Sequence, residues 1–464
     1  MAIPMPIADQ VPARHRLSVR RALSELDWSS RALVDYPARD LWEHDTRRLP
    51  RPLASWRRHL RRFAHEHLAP GIDRFDRTEH PAAGQWRPGM RELVLRAADA
   101  GLMTDFFPSP LGSAPLARAR YPVWAQTLKT EELASVCAGQ MLALCAHQLG
   151  LAPMALSGDL RAMRNFVYPV LRDLHRGEPH LCAYAITEPG AGSDAEEGHG
   201  ASLYRPGVVA RRRHGRWHLN GRKVFISGGD VARTIAVFAA LEGEGMDSWT
   251  CFIVHPHMPG FRMARLEHKM GMRACSAAEL EFDDLAVPDS HVVGGLRRGW
   301  ALNRATLNFS RAPVAGMAVG LARAATEIAM DFACTRRLGA HRLVDFQEVQ
   351  LQLAQMVAET TAIRSMVWQQ AADFTPRQAG ASLCKFHATD TAQHVCEMAM
   401  DLLGGESLLH QQRIEKVFRD VRLTRIFEGT NQINRLAVIE DMQEELGRHA
   451  FQGKNHSGGT HHAR

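Results

Sequence analysis

The spacing of the apolar residues changes twice along this 464-residue chain, and this change limits the fold more than any other feature. From about Leu53 to Leu174, apolar residues recur every three or four positions, which is the pattern of amphipathic helices. Between Leu181 and Pro288 they form short runs separated by turn residues, which predicts strands. After Gly299 the helical spacing returns in segments long enough for the helices of a bundle. The sequence therefore predicts an α+β protein with a β domain between two helical domains.

The length of the chain also favours several domains, because a typical domain has about 150 residues. We expect an N-terminal extension (1–52), an N-terminal helical domain (53–180), a middle β domain (181–290), a C-terminal helical domain (291–447) and a tail (448–464). The tail is rich in glycine, histidine and serine, a composition that favours a flexible end.

The composition indicates a globular protein in a reducing compartment. Hydrophobic residues make up 45% and charged residues 23% of the chain, which excludes a disordered or fibrous protein. The eight cysteines, from Cys137 to Cys396, contain no Cys-x-x-Cys pair, which argues against a disulfide framework and a metal site. We expect no membrane span, because arginine, aspartate or glycine interrupts the apolar stretches. Asp9, Glu25 and Asp27 argue against a transit peptide, so we expect a cytoplasmic protein, with the mitochondrial matrix as the alternative.

One motif that could contribute to a ligand site is AYAITEPGAGSD, from Ala183 to Asp194, which ends a strand and begins a loop. Gly190 and Gly192 allow a flat or charged ligand to approach the backbone closely, and Thr187 and Ser193 add hydroxyl groups. The alternative is a tight turn between two strands, and the motif alone does not decide between a turn and a ligand site.

A second motif is LNGRKVFISGG, from Leu219 to Gly229, which predicts a hairpin turn at Asn220-Gly221 followed by a strand. Phe225 in that strand could stack on a ring of a ligand. An aromatic residue in a strand is more often part of the core, and both interpretations stay open at this point.

The third motif is FRDVRLTRIFEGTNQINR, from Phe418 to Arg435, in which Glu428 lies at a predicted break between two helices. A carboxylate at such a break could project into a cleft and act as a general base. Its apolar neighbours would desolvate it and raise its proton affinity; they are Ile426, Phe427 and Ile433. The alternative is an ordinary solvated acid in a loop.

From Leu53 to Leu446 the sequence resembles the acyl-CoA dehydrogenase family. The three motifs occur in the family's order, together with KMGMRACSAAELEFDDLAVP, SRAPVAGMAVGLA, FQEVQLQLAQM and DLLGG. The resemblance implies an N-terminal helical domain, a β-barrel-like middle domain and a C-terminal four-helix bundle. It also implies an FAD cofactor that lies among these domains and across a contact between subunits.

The resemblance implies three groups of FAD-binding residues. The flavin would be lined on one side by Tyr184, Ile186, Thr187 and Ser193, and on the other by Phe225, Ile226 and Ser227, with Thr430 and Gln432 also in contact. The adenosine pyrophosphate would be held by Arg336, Gln347 and the Asp401 to Gly405 turn, which includes Gly404. Two positions depart from the family's pattern. The loop RRLG replaces Arg-x-x-Phe-Gly, and Asp401 puts an acid beside a diphosphate, where the family has glutamine.

The resemblance also implies the reaction. Glu428 would remove the α proton of an acyl thioester, and a hydride would pass from the β carbon to the flavin, giving a 2,3-enoyl thioester. Some relatives carry this glutamate at the position of Ser310, and serine cannot serve as the base. Substrate contacts are implied for Asn308 and Arg311 on the CoA part and for Ser193 and Gly429 at the thioester.

The implied partners are an acyl-CoA or a thioester on a carrier protein, an electron-transfer flavoprotein or another acceptor, and further copies of the chain in a homodimer or homotetramer. The identity of the acyl group cannot be predicted, and the extension before Leu53 is expected to be a helical cover over a subunit. Three alternatives remain: an oxygen-using flavoprotein, a DNA-associated flavoprotein and an FAD-free binding module. The net charge of +7 and runs such as Arg57-Arg58 permit a basic surface, but such runs are usually solvated, so nucleic acid is an unlikely partner.

Overall fold

The computed structural model describes residues 25–34, 42, 46–47, 49–82, 84–193, 206–373 and 377–456, with side chains described up to Gly447. Most of the predicted N-terminal extension therefore lies outside the described residues, as do residues 457–464 of the predicted tail and Asp194. Within the described part, the final helix continues to His456, past the predicted end of the domain at residue 447.

Helices alone form the N-terminal domain, as the apolar spacing predicts. Short π-helical and 3-10 turns continue the second helix from Ala64 to Gly71 and join the two last helices from Met163 to Val167. The helices are α1 (Trp28–Val34), α2 (Arg51–Phe63), α3 (Ile72–Arg77), α4 (Met90–Asp99), α5 (Leu116–Ala119), α6 (Pro122–Leu156), α7 (Leu160–Ala162) and α8 (Tyr168–His175).

The long helix α6 is the centre of this domain. It bends at Cys137, whose backbone is not helical (φ −157°, ψ 103°), and Arg413 donates a hydrogen bond to the exposed carbonyl of Val136 at 3.0 Å. By length and composition α6 could span a membrane, contrary to expectation, because no charged residue interrupts it after Glu132. Of its most apolar stretch 67% is buried inside the protein, as expected for a core helix.

The middle domain is an eight-stranded sheet in the order β6-β7-β3-β2-β4-β5-β8, with β1 paired in parallel to β4. Its end strands, β6 and β8, are not paired with each other in the described part of the chain. The strands are β1 (Cys182–Ala185), β2 (Val209–Arg213), β3 (Arg216–Ser227), β4 (Thr234–Leu241), β5 (Thr250–Val254), β6 (Phe261–Leu266), β7 (Ala277–Pro288) and β8 (Val292–Val293).

Strand β4 explains how the sheet and the helices share their cores. All eight of its residues are buried. Ile235 and Val237 belong to the core inside the sheet, whereas Ala236 and Phe238 belong to the core shared with the helices. Because alternate side chains point to opposite faces, this one strand is packed on both sides.

The predicted hairpin turn at Asn220-Gly221 is wrong. The turn between β2 and β3 lies at His214-Gly215, where both residues have positive φ (48° and 76°), as a two-residue hairpin turn requires. Asn220 lies inside β3, and its side-chain oxygen accepts a hydrogen bond from the Asp284 N–H on the neighbouring strand at 2.9 Å.

The C-terminal domain contains four long helices and one short helix, which agrees with the expected bundle. Helix α9 packs closely on α6: a Cβ at Gly316 or Gly320 would lie 2.6 or 2.4 Å from the carbonyl oxygens of Thr127 and Glu131. The elements are α9 (Gly299–Thr335), the hairpin β9 (Arg337–Leu338) and β10 (His341–Arg342), α10 (Gln347–Ala371), α11 (Gln378–Leu403), α12 (Ile414–Thr424) and α13 (Asn431–His456).

A buried ionic network ties α2, α6, α9 and α10 together. Glu131 accepts hydrogen bonds from Arg323 at 2.7 Å, from Arg364 at 2.8 Å and from the Trp368 indole at 2.7 Å. Arg57 of α2 binds the neighbouring Glu132 at 2.7 Å and is 6% exposed. The view of the Arg57-Arg58 run as solvated is therefore wrong for Arg57.

Trp42 is the described residue of the N-terminal extension that attaches it to this network. Its side chain is 1% exposed, and its indole N–H donates to Glu327 at 2.7 Å. Its carbonyl accepts a hydrogen bond from Arg364 at 3.0 Å. The extension thus packs against α9 and α10 of its own chain at this point.

Helix α6 also contacts the first strand of the sheet through a neutral histidine. The ring nitrogen Nδ1 of His147 accepts a hydrogen bond from the Cys182 N–H at 3.0 Å. Burial lowers the pKa of His147 to about 3, so the ring is uncharged at neutral pH. All eight cysteines are free thiols. No group of three metal-ligating side chains occurs in the described part of the chain.

Candidate active site

Glu428 lies in the short loop between α12 and α13, as the break in helical spacing predicts. Glu428 and Gly429 both have left-handed backbone conformations, with φ of 57° and 81°. For a residue with a side chain this conformation costs about 1–2 kcal/mol, so the surroundings must hold it in place. Glu428 is half-buried, but its neighbour Ile426 is 54% exposed and does not shield it as expected.

Ser310 of α9 is the side chain that contacts the Glu428 carboxylate. Its hydroxyl donates a hydrogen bond to Oε2 at 2.6 Å. Ser310 thus holds the Glu428 carboxylate across the gap between α9 and the loop.

Helix α11 holds the other side of this loop. The Lys385 ammonium is fully buried and donates to the carbonyl of Gly429 at 2.6 Å and to the side chain of Asn431 at 2.9 Å. Asn434 donates to the carbonyl of Gly429 at 3.0 Å and to that of Thr430 at 3.0 Å. These contacts satisfy backbone groups that the broken helix leaves unpaired.

The loop after β1 is fixed by a buried ion pair that the sequence interpretation missed. Glu188 of the TEPGAGSD motif accepts hydrogen bonds from the Gly207 N–H at 2.6 Å and from the Val208 N–H at 3.1 Å. Lys223 of β3 donates to Glu188 at 2.8 Å and to the carbonyl of Ile186 at 2.7 Å. Burial lowers the pKa of Lys223 to about 8, an effect that Glu188 opposes.

Phe225 points outward from β3 instead of into the core. A bulge in β3 puts its backbone at φ 59°, and its side chain is 62% exposed. Its neighbour Val224 donates a hydrogen bond to the carbonyl of Thr187 at 2.9 Å, so Phe225 lies beside the β1 loop. A strained backbone that exposes an aromatic ring favours the ligand-stacking interpretation over the core interpretation.

Helix α9 connects the β domain to Glu428. The Tyr184 hydroxyl on β1 donates to the side chain of Asn303 at 2.5 Å, while Ser310 contacts Glu428. Asn303 and Ser310 are seven residues apart, so they lie on the same face of α9 with a spacing of about 10 Å. Tyr184 of β1 and Glu428 thus contact the same face of α9, and Phe225 lies beside the loop that follows β1.

The predicted contact residues differ in how far their side chains are exposed. The side chain of Ile226 is 2% exposed and lies in the sheet core, and the ring of Tyr184 packs on Phe238 with 9% exposure. Arg311 is 2% exposed and donates to Ser382 of α11 at 2.8 Å. Five others are half-buried; they are Ile186, Thr187, Ser193, Ser227 and Asn308. Gln432 is exposed, and Thr430 is half-buried in the Glu428 loop.

The residues predicted to hold the pyrophosphate lie at the opposite end of α9. Arg336 follows the end of α9 and forms an ion pair with Glu406 at 2.7 Å. Glu406 directly follows Gly404 and Gly405, so the structure brings Arg336 to the predicted turn. Asp401, Gly404, Gly405 and Gln347 are exposed. Two acids, Asp401 and Glu406, thus lie at this end.

Two surface cavities lie elsewhere in the described part of the chain. One, of about 320 Å³, is bordered by Glu79 to Ala82 and by Met263 to His268. The other, of about 510 Å³, lies between Glu66 to Phe75 and Gly89 to Arg96. Neither contains a residue of the candidate active site.

The residues that sequence reasoning missed are those that support the site: Lys385, Asn431, Asn434, Lys223, Glu188 and Asn303. Lys385 shows how such a residue could be noticed in the sequence, because it is a charged residue among small and apolar ones in GASLCKFHA. A buried charge requires partners, but the sequence does not show which partners they are.

The fold and the site together define a three-domain protein whose candidate ligand site lies where the β domain meets the helical domains. Profiles of the acyl-CoA dehydrogenase N-terminal, middle and C-terminal domains match residues 53–172, 183–285 and 297–443. The chain belongs to the acyl-CoA dehydrogenase family. It is therefore an oxidoreductase, and its cofactor is FAD.

Individual relatives support this assignment. An acyl-CoA dehydrogenase of Bacillus subtilis is 30% identical over 389 residues, which is 82% of this chain and 95% of the relative. A 3-(aryl)acrylate reductase of Clostridium sporogenes is 30% identical over 391 residues, 83% of this chain and 97% of the relative. The structure of an acyl-CoA dehydrogenase complexed with FAD from Bacillus anthracis superposes with a TM-score of 0.75 at 26% identity, over 88% of this chain and 70% of that one.

Proposed function

We propose that this protein removes hydrogen from the α and β carbons of an acyl thioester and forms the 2,3-enoyl thioester. The observation that carries the proposal is the arrangement along α9. The Glu428 carboxylate contacts Ser310 on this helix, and Tyr184 of β1 contacts Asn303 about 10 Å away on the same face. Phe225, an exposed aromatic ring, lies beside the loop that follows β1. In this proposal a flat electron acceptor lies against the ring of Phe225, and the thioester lies beside the carboxylate of Glu428.

Glu428 removes the α proton in this proposal. The α hydrogens of a thioester are weakly acidic, so the base must be held at the carbon and the developing enolate oxygen must be stabilised. Ser310 orients the carboxylate, and the backbone N–H of Glu428 donates to the thioester carbonyl. In this proposal, the left-handed turn at Glu428 and Gly429 directs the side chain and the N–H of Glu428 toward the same ligand.

The residues of the β domain fit a flavin ring. Phe225 offers an exposed ring face, and among the described residues, chain neighbours aside, no atom lies within 4 Å of a Cβ placed on Gly190 or Gly192, which leaves room for a ligand beside the β1 loop. Thr187 and Ser227 would bind its polar edge, and Tyr184 and Ile226 would contribute backbone atoms. When bound, FAD accepts the hydride from the β carbon.

A second copy of the chain completes the cofactor site in this proposal. Ser310 and the end of α9 at Thr335 are 25 residues apart, which is roughly 40 Å of helix and longer than one FAD molecule. Arg336, Gln347 and the Asp401 to Gly405 turn of one protomer would therefore bind the pyrophosphate of FAD held by its partner. A homodimer or homotetramer satisfies this requirement.

The substrate is an acyl-CoA or a thioester on a carrier protein, and the electrons pass to an electron-transfer flavoprotein or another acceptor. Asn308 and Arg311 would act near the CoA part. Since Arg311 is buried, its role is to orient α9 and Asn308 more than to contact the ligand. The free thiols support a reducing compartment such as the cytoplasm.

The proposal is tested by anaerobic mixing of the FAD-loaded protein with acyl-CoA thioesters of graded chain length and branching. We expect at least one thioester to bleach the flavin band in the wild-type protein. Glu428→Gln should keep the yellow chromophore, and its rate of flavin bleaching should be lower by a factor of about a hundred or more. Bleaching by Glu428→Gln at the wild-type rate would show that the base lies elsewhere.

A further inference from the structure

A row of buried polar side chains on α11 lies close to Ser310 and Glu428, whose hydrogen bond is called the catalytic contact below. Ser382, Lys385 and Thr389 are spaced by three and four residues, so they lie on one face of the helix, and each is 0% exposed. A polar face in the middle of a bundle is costly unless its groups are hydrogen-bonded. Each of these three side chains therefore needs a hydrogen-bond partner.

Each member of this row contacts a residue next to the Ser310–Glu428 hydrogen bond or at the start of α13. Ser382 accepts a hydrogen bond from Arg311, the neighbour of Ser310, at 2.8 Å. Lys385 donates to the carbonyl of Gly429, the neighbour of Glu428, at 2.6 Å. One helix face thus reaches both sides of the gap that the catalytic contact bridges.

Asn431, the first residue of α13, connects the end of the loop to α11. Its side-chain oxygen accepts from Lys385 at 2.9 Å, and its amide donates to Thr389 at 2.8 Å and to Asp390 at 2.8 Å. Its backbone N–H donates to the carbonyl of Arg425 at 3.1 Å, which joins the two ends of the loop. The loop is therefore fixed at both ends and at its Gly429 carbonyl.

We propose that Lys385 is a positioning residue for the catalytic base: its ammonium holds the Gly429 carbonyl and thereby keeps Glu428 in the left-handed conformation that points its carboxylate at Ser310 and the substrate. The inference rests on the proposed function of Glu428. Lys385 itself is buried behind the loop and does not touch the substrate.

The physical reason lies in the backbone of the loop. Glu428 carries a side chain on a left-handed backbone, which is unfavourable unless the surrounding structure holds it in place. A charged donor forms a stronger hydrogen bond than a neutral one, so Lys385 limits the movement of this peptide more than an amide would. A shift of the base by about 1 Å is enough to slow catalysis about a hundredfold.

The experiment compares Lys385→Met, which removes both the charge and the donor, with Lys385→Gln, which keeps a donor. We expect kcat to fall about a hundredfold in Lys385→Met and about tenfold in Lys385→Gln, with KM changed less than about threefold. Because proton removal becomes slower, the isotope effect with an α-deuterated thioester should rise in both variants. Limited proteolysis without substrate should show faster cleavage between residues 425 and 430.

The matched control is Lys129→Gln, which alters another buried lysine. Lys129 is 1% exposed in its side chain and binds Asp105 at 2.7 Å and Gln148 at 2.7 Å, away from the Glu428 loop. This variant should lower Tm as much as Lys385→Gln does, while its kcat and isotope effect stay within about twofold of wild type.

Glu428→Gln is measured in the same series to separate the two proposals. If it is inactive while both Lys385 variants turn over with wild-type kcat and isotope effect, the positioning role is wrong and the base assignment stands. If Lys385→Met does not fold, the same outcome for Lys385→Gln alone overturns the positioning role. If Glu428→Gln itself turns over normally, the proposed function fails, whatever the Lys385 variants show.

Discussion

Replacing Phe225 with alanine removes an aromatic ring that is 62% exposed on a bulge of β3. A phenylalanine presents on the order of 200 Å² of surface, so about 120 Å² is open to a ligand, and one face of the ring is about 60 Å². At about 25 cal/mol per Å², covering that face contributes about 1.5 kcal/mol. We therefore expect Phe225→Ala to bind FAD about tenfold more weakly.

The assay is a titration of the FAD-free protein with FAD, followed by flavin fluorescence. Phe225→Trp keeps an aromatic face and should retain FAD within about twofold of the wild-type affinity. Leu160→Ala, at a side chain that is 82% exposed in α7, is the control and should leave FAD binding unchanged. An unchanged dissociation constant in Phe225→Ala would refute the stacking role.

Unfolding of the FAD-free variants tests the same reasoning without the cofactor. Since the ring is exposed, Phe225→Ala should change the free energy of unfolding by no more than about 0.5 kcal/mol. Phe225→Gly should bind FAD as weakly as the alanine variant but stabilise the FAD-free protein by up to about 1 kcal/mol, because glycine tolerates φ 59°. A loss of more than about 2 kcal/mol in Phe225→Ala would mean that the ring belongs to the core.

Two further predictions concern buried charges. Glu131→Gln leaves Arg323 and Arg364 without their shared carboxylate and should lower the free energy of unfolding in urea by about 3–5 kcal/mol, whereas Glu242→Gln, in an exposed pair with Arg211, should cost less than about 1 kcal/mol. Equal losses would contradict the network's role. Burial lowers the pKa of His147 to about 3, so the unfolded chain binds a proton that the folded protein excludes between about pH 6.5 and 3, and stability should fall on acidification by on the order of 1.5 kcal/mol from pH 6.5 to 5. His147→Asn keeps an acceptor but cannot be protonated there, so a variant that loses as much stability as the wild type would rule out this histidine.

The order of the domains could be predicted because it depends on local spacing alone. Helical and strand periods are visible in any window of the sequence, and the break at Glu428 is visible as an interruption between two helical segments. The position of the hairpin turn was not predictable in this way. Asn220-Gly221 has the stronger turn composition, but pairing with β7 and the Asp284 contact keep it within β3, and the turn forms at His214-Gly215.

The buried polar groups could not be predicted for a different reason. In the sequence, Arg57 belongs to a run of basic residues that is expected to be solvated. In the structure it binds Glu132 of α6, which is 75 residues away in the chain. Lys385 is likewise separated from Gly429 by 44 residues. Which charge finds which partner depends on how the helices pack, and packing is not encoded in a short stretch of sequence. The candidate base was therefore visible in the sequence, whereas the buried residues around it were not.

The central claim is that Glu428 removes the α proton, and proton exchange measures this step directly. An acyl thioester with sulfur in place of the β carbon can lose an α proton but no β hydride, so it isolates this step. In D₂O we expect the wild-type protein to exchange the α protons of this analogue for deuterium, followed by NMR, and Glu428→Gln to exchange them at least about a hundredfold more slowly. Exchange by Glu428→Gln at the wild-type rate would contradict the assignment.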